Sequence, residues 1–207
     1  MNEPTKDASP EPAKRPPGEP AKDAPHAPAL HPPGAPAALD IRGAGTEDIA
    51  LLVELGKKTF YEAFHEQNTE EDMRLFLEEK FTNAVLAEEM REAGALFFVA
   101  WWEGKAVGFS KVREGHEPPE LSDTKALEVE RIYVDKDYQG KKIGMYLMEN
   151  NLDYGKRNGY AVIWLGVWEH NSKAIRFYES KNFRTFGSHG FMLGNDLQTD
   201  ILMKRML

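Results

Sequence analysis

The residues best placed to do chemistry are Gln139-Gly140-Lys141-Lys142-Ile143-Gly144. They follow a β-rich run, Leu127 to Val134, and precede a helical pattern that opens with Met145, Leu147 and Met148. The first backbone N–H groups of a helix have no partners within it, so this loop forms a cradle for an anion such as a phosphate. Gly140 and Gly144 let such a group approach the backbone, and Lys141 and Lys142 add positive charge to an acidic chain. Neither G-x-x-x-x-G-K-[ST] nor G-x-G-x-x-G occurs here, so the cradle is not of the kinds those patterns mark. Read by itself, such a loop is more often an exposed, solvated helix cap.

A second feature precedes the loop. Glu128 and Glu130 stand two apart on one strand, so both side chains point to the same face. Two carboxylates on one face of a central strand imply that this face meets water or a site. His65, His116, His170 and His189 lack metal-ligand spacing, and no metal is expected. With no cysteine in the chain, disulfides, thiolate metal sites and a cysteine nucleophile are excluded.

The elements that must position these groups are legible from Leu39 onward. Leu39 to Arg42 alternates as a short strand, and Thr46-Glu47-Asp48 has the form of a helix N-cap with acids in the first turn. Ile49, Leu52, Val53, Leu55 and Phe60 continue at helical spacing, and Thr69 and Thr82 open two further helices. The period then changes to that of strands, with Leu96 to Trp102 and Ala106 to Val112 flanking a Glu103-Gly104-Lys105 hairpin turn. After the Leu127 to Val134 strand and the loop, a long helix ends at Asn158-Gly159. A buried-type strand (Ala161 to Val167), a helix capped by Asn171 and two strands near Phe183 to Phe191 and Asp200 to Met206 complete the chain. The order β-α-α-α-β-β-β-α-β-α-β-β describes an α/β (α+β) domain with a mixed sheet.

Composition divides the 207 residues in two. The first 37 hold eleven of the thirteen prolines and bury too little apolar surface to offset the entropy of ordering, so residues 1–38 are expected to form a disordered tail. The tail has neither the apolar run of a secretory signal nor the arginines of a transit peptide. Residues 39–207 fit one domain. The formal net charge of −8 argues against non-specific nucleic-acid binding and suits a cationic substrate. No apolar run is long enough to span a bilayer, and a cytoplasmic protein is the expectation.

Two motifs give this reading a family. The string Gln139-x-x-Lys142-x-Gly144 resembles the acetyl-CoA motif [RQ]-x-x-G-x-[GA] of the GCN5-related N-acetyltransferase (GNAT) superfamily, with Lys142 in place of the middle glycine. Asn171, Ala174, Tyr178 and Phe183 match that family's second landmark, and the order of elements agrees over residues 39–207. The strings Glu130-Arg131-Ile132-Tyr133-Val134, Gly166-Val167-Trp168-Glu169-His170-Asn171 and Gln198-Thr199-Asp200-Ile201, together with the loop, are similar to PaiA-type members, some of which acetylate polyamines. In that subgroup a lysine at the middle-glycine position is familiar.

The resemblance implies a GNAT-like, mostly antiparallel sheet whose central strands splay apart to admit the pantetheine arm of acetyl-CoA. Ile132, Tyr133 and Val134 would then meet the arm through their backbone. The amides from Gln139 through Gly140, Lys141, Lys142 and Ile143 to Gly144 would hold the pyrophosphate, and Asn171 would both cap its helix and bond to the arm. Tyr178 would protonate the departing thiolate, and Glu130 or Glu128 would deprotonate the ammonium through water or attract a cationic substrate. A backbone N–H of the Ile132 to Val134 strand would stabilise the oxyanion, and the absence of cysteine favours direct transfer in a ternary complex. Trp164, Trp168, Phe60, Tyr61 and Phe64 are candidates for an acceptor pocket, although aromatics at such spacings more often fill a core.

The expected activity is acetyl transfer to a small primary amine, with a polyamine such as spermidine or spermine favoured. An amino acid, an antibiotic amine or a protein N-terminus stands as an alternative acceptor, and a non-catalytic acyl-CoA-binding regulator as an alternative class. A homodimer is common in the family, but nothing in the sequence identifies an interface.

Overall fold

The computed structural model describes residue 32 and residues 34–207. The expected tail therefore lies almost entirely outside the described residues. Packing begins upstream of Leu39: Ala35 rests against the main core, and Tyr146 Oη donates to the Gly34 carbonyl at 2.8 Å.

Among the described residues seven strands form one sheet in the order β1-β2-β3-β4-β5-β7-β6. They are β1 (Leu39–Gly43), β2 (Leu96–Trp102), β3 (Lys105–Arg113), β4 (Ala126–Val134), β5 (Val162–Trp168), β6 (Arg184–Leu193) and β7 (Asp196–Met206). The helices are α1 (Ile49–Phe64), α2 (Glu70–Lys80), α3 (Asn83–Glu89), α4 (Ile143–Arg157) and α5 (Ser172–Ser180). Every adjacent pair is antiparallel except β4 and β5. This is the mixed, mostly antiparallel architecture expected, and the order of main elements agrees throughout.

The two faces of the sheet have separate cores. Leu127, Val129, Ile163, Leu165 and Val167 pack with Ile143, Leu147 and Tyr178 from α4 and α5. On the other side Leu52, Phe60, Met73, Phe76, Phe81 and Leu86 from the first three helices and the α2–α3 turn pack against Phe97, Val99 and Phe109.

Most helix ends follow the local chemistry. Thr69 accepts from the Asp72 N–H at 3.1 Å, Thr82 from Val85 at 3.2 Å and Asn171 from Ala174 at 3.1 Å. Helix α4 closes with Gly159 at φ +70°, and the N–H groups of Gly159 and Tyr160 return to the carbonyls of Lys156 and Gly155. That paired closure needs a left-handed residue, which glycine supplies without cost. Thr46 is a correction: it lies inside a short 3-10 turn, Gly45 holds the cap position, and Asp48 accepts from the Gly45 N–H at 3.0 Å. Strand β7 also starts four residues before the expected Asp200, because its polar first half pairs with β6 out at the sheet edge.

Candidate active site

Strands β4 and β5 pair for only three residues: Ala126 with Val162, Leu127 with Ile163 and Glu128 with Trp164. Beyond Glu128, β4 remains with β3 and β5 remains with β7 as far as the Trp168–Asp200 pair. The sheet therefore opens between residues 129–134 and 165–168. A β-bulge accounts for the parting. Val112 faces Val129 and Lys111 faces Arg131, so Glu130 is the extra residue of β4. A bulge bends its strand and increases the local twist, and here it falls where pairing with β5 ends.

The same bulge changes which residues face which core. Leu127 and Val129 face the α4 side before it, and Ile132 and Val134 do so after it. Tyr133 turns to the α1 side, where its ring meets Phe60 and Phe109.

The loop from Asp135 to Lys142 is fixed from below. Buried Asp135 accepts from the Asp137 N–H at 3.0 Å and pairs with Lys58 of α1 at 2.6 Å, while Glu62 accepts from the Lys136 N–H at 3.0 Å. Sequence reading missed these two α1 anchors, Lys58 and Glu62; their i, i+4 spacing is the only local signal. At the far end Gln139 Oε1 accepts from Lys173 of α5 at 3.0 Å, which ties the loop to the helix that carries Tyr178. Gly144 stands over the end of β4, where a Cβ would lie 3.7 Å from Val134 Cγ2.

Among the described residues no side chain caps α4, so its first N–H groups remain available to a ligand. Lys142 at the cap position has φ +63°, a left-handed conformation that costs a side-chain-bearing residue roughly 1–2 kcal/mol. That conformation is the physical reason a glycine is usual there. Gly140 is also left-handed, at φ +83°. The Lys141 ammonium sits 4.4 Å from the Trp102 ring centroid and 5.6 Å from that of Tyr138, stacked on aromatics at the loop's edge.

Tyr178 is buried in the α4-side core beside Phe177 and Phe183. Burial pushes its phenol well above the ordinary tyrosine value, and the Tyr133 phenol adds to the shift. Through Lys173 the loop is tied to α5, the helix that Asn171 caps and that carries Tyr178.

Glu128 and Glu130 lie on the other side of β4 and are embedded in ion pairs. Glu128 binds Arg113 Nε at 2.6 Å; Glu130 meets Lys111 at 2.5 Å, Arg113 at 3.4 Å and Arg131 at 3.6 Å. Arg131 also forms a two-pronged pair with Glu89 of α3 at 2.7 and 2.8 Å. Burial raises the Glu128 carboxyl above its ordinary value despite Arg113. For Glu130 burial acts in the same direction, but Arg131, Lys111 and Arg113 outweigh it and hold the carboxyl below the usual range.

The aromatic candidates separate. Phe60 and Trp164 are core residues, Tyr61 is exposed and stacks on His65, and Trp168 is half-buried with its ring edge-on to Phe64 and His170. Asp200 and His189, neither of which sequence reasoning singled out as functional, stand side by side on β7 and β6, 3.8 Å apart. Their proximity depends on strand register, which no local pattern records. Among the described residues no cluster of three or more metal-ligating side chains occurs, and no helix is long and apolar enough to cross a membrane.

A strand pair that opens beside an uncapped helix N-terminus is the arrangement the two sequence motifs imply, and comparison with known proteins agrees. The acetyltransferase (GNAT) family matches residues 57–183. An uncharacterized N-acetyltransferase from the pepI 3' region of Lactobacillus delbrueckii subsp. lactis is 35% identical over 161 residues, covering 78% of this chain and 93% of that one. The crystal structure of PaiA N-acetyltransferase from Thermoplasma acidophilum, in complex with coenzyme A, superposes with a TM-score of 0.70 at 22% identity, covering 82% of this chain and 99% of that one. The ribosomal-protein-S18-alanine N-acetyltransferase from Escherichia coli superposes with a TM-score of 0.60 at 20% identity, covering 81% and 93%. The chain belongs to the GNAT family of acetyltransferases.

Proposed function

We propose that the protein transfers the acetyl group of acetyl-CoA to a small primary amine, a polyamine such as spermidine or spermine being favoured, by direct attack in a ternary complex. The observation that carries this reading is the opening of β4 from β5 after Glu128 and Trp164, beside the uncapped start of α4. The pantetheine arm enters that opening along Ile132, Tyr133 and Val134, whose unpaired edge offers backbone groups to it. The pyrophosphate lies on the amides from Gln139 to Gly144, where the helix dipole favours negative charge. Asn171 stays the cap of α5 and meets the arm from the other side.

The amine nitrogen attacks the thioester carbonyl once it is neutral. A C–N bond forms, the oxyanion is held by a backbone N–H of β4, and the C–S bond then breaks. Tyr178, kept protonated by burial, gives its proton to the departing thiolate. The proton from the amine leaves through water to Glu128, whose raised pKa makes it the better acceptor of the pair, while Glu130 remains ionised among its three cations. The strings similar to PaiA-type members and the acidic net charge support a cationic acceptor. The proposed setting is the cytoplasm, where acetyl-CoA is supplied.

The test is CoA release from acetyl-CoA with spermidine, spermine, putrescine, amino acids, aminoglycosides and short peptides, with mass analysis of the product. Acetylated polyamine is expected. Release with another amine alone would keep the transfer and replace the acceptor.

A further inference from the structure

The carboxylates on the α1-facing side of the sheet differ in how they are neutralised. Glu128 and Glu130 are ion-paired with Lys111, Arg113 and Arg131. Asp200 has no such partner: among the described residues its ion pair is with His189 alone, at 3.8 Å, although its side chain is only 15% exposed. Burial raises its pKa, as befits a carboxylate desolvated without full compensation.

The neighbours of Asp200 suit a ligand cation. Asp200 faces Trp168 across the β5–β7 ladder and His189 across the β6–β7 ladder, so these three side chains share one face of the sheet. Gly166, two residues before Trp168, contributes no side chain to that face. A Cβ on Gly166 would stand 3.2 Å from Asp200 Oδ2 and 3.3 Å from His189 Nε2, so any side chain there would crowd the carboxylate and the imidazole. Trp168 lies on the stretch of β5 that has parted from β4, so Asp200, directly across the ladder from it, stands next to the rim of the opening. A half-buried carboxylate beside an indole ring is chemistry suited to an ammonium group.

That ammonium is not the nitrogen that reacts. A nearby carboxylate stabilises the charged form of an amine, whereas attack on a thioester requires the neutral form. We infer that Asp200, flanked by His189 and Trp168, holds a second, non-reacting ammonium of the acceptor and so selects amines with two or more cationic nitrogens. The distinction between reacting and non-reacting nitrogen rests on the proposed N-acetyltransferase activity; the cation site itself does not.

Putrescine and butylamine have the same carbon chain and differ by one ammonium, so they isolate the effect. Binding of each to the CoA-loaded full chain is measured by calorimetry, and CoA release is measured in parallel, for the wild type and Asp200→Asn. The wild type is expected to prefer putrescine by about tenfold or more, as loss of a charge-assisted contact implies. Asp200→Asn is expected to abolish that preference while leaving acetyl-CoA affinity and butylamine turnover unchanged. A preference that survives in Asp200→Asn, or a wild type with none, overturns the inference. If the preference depends on Asp200 but no amine releases CoA, the cation site stands and the acetyl-transfer reading fails. Should Asp200→Asn not fold, Gly166→Ala, which crowds the carboxylate without removing its charge, decides the matter: it is expected to reduce the preference, and an unchanged preference overturns the inference.

Discussion

Glu128 and Trp164 are the last residues at which β4 and β5 face one another in register. The proposed chemistry depends on the gap beyond that pair, where the bulge at Glu130 bends β4 away while β7 keeps β5 straight. The residue that creates the bulge is also the one surrounded by Lys111, Arg113 and Arg131. Those cations hold the bulge in place, so the shape of the opening and the charge of the sheet share one origin.

Glu130→Gln should therefore destabilise the fold by about 3 kcal/mol at neutral pH, the cost of leaving buried cations short of their anion. The carboxyl is held below its ordinary range in the folded state, so its stabilisation is complete above the unfolded value near 4.3 and is lost as pH falls through the folded value. Denaturant unfolding at pH 7 and again below pH 4 checks both points. The gap between wild type and variant should narrow at the lower pH.

Tyr178→Phe should leave acetyl-CoA affinity intact and lower kcat by roughly 10²–10⁴-fold, the usual worth of a positioned general acid. Because burial raises the phenol's pKa, the wild-type rate should not fall on the alkaline side until above the ordinary tyrosine value. A pH–rate profile with acetyl-CoA binding measured in parallel tests this. Unchanged turnover would remove Tyr178 from the mechanism.

Lys142→Gly should raise stability by up to about 1 kcal/mol, since it relieves the left-handed strain at φ +63° at some entropic cost in the unfolded chain. CoA affinity should fall only severalfold, because the proposed contacts there come from the backbone and the lysine contributes only its charge. Thermal unfolding with and without CoA would show both effects.

Gly56→Ala tests the packing of α1 over the opposite core. A Cβ at Gly56 would approach the Phe81 ring closely enough that the ring or the helix must move. Overpacking of this kind costs about 1–3 kcal/mol, which denaturant unfolding would read. Because Lys58 and Glu62 of the same helix anchor the Asp135–Lys136 loop, the variant should also weaken CoA binding.

The sequence was most readable where structure is local. Caps at Thr69, Thr82 and Asn171 and the Gly159 helix end are set by residues within a few positions of one another, whereas the Gln139 to Gly144 loop is legible as a string but held by Lys58, Glu62 and Lys173 from elsewhere in the chain. Thr46 misled because an acid at Asp48 satisfied Gly45 first, and both caps are compatible with the same string. The common face of Glu128 and Glu130 was legible from strand period, and both do reach Arg113. Their three cationic partners were not legible, because Lys111 and Arg113 come from the neighbouring strand and the bulge brings Arg131 onto the same face. Asp200 and His189 escaped notice for the same reason: only the β6–β7 register joins them.

Direct acetyl transfer is tested most sharply by the initial-velocity pattern of CoA release, with acetyl-CoA and the best amine varied together. Attack in a ternary complex predicts amine-dependent release and intersecting lines in double-reciprocal plots. Parallel lines would indicate a covalent acetyl-enzyme, and tight acetyl-CoA binding with no release on any amine would contradict catalysis altogether.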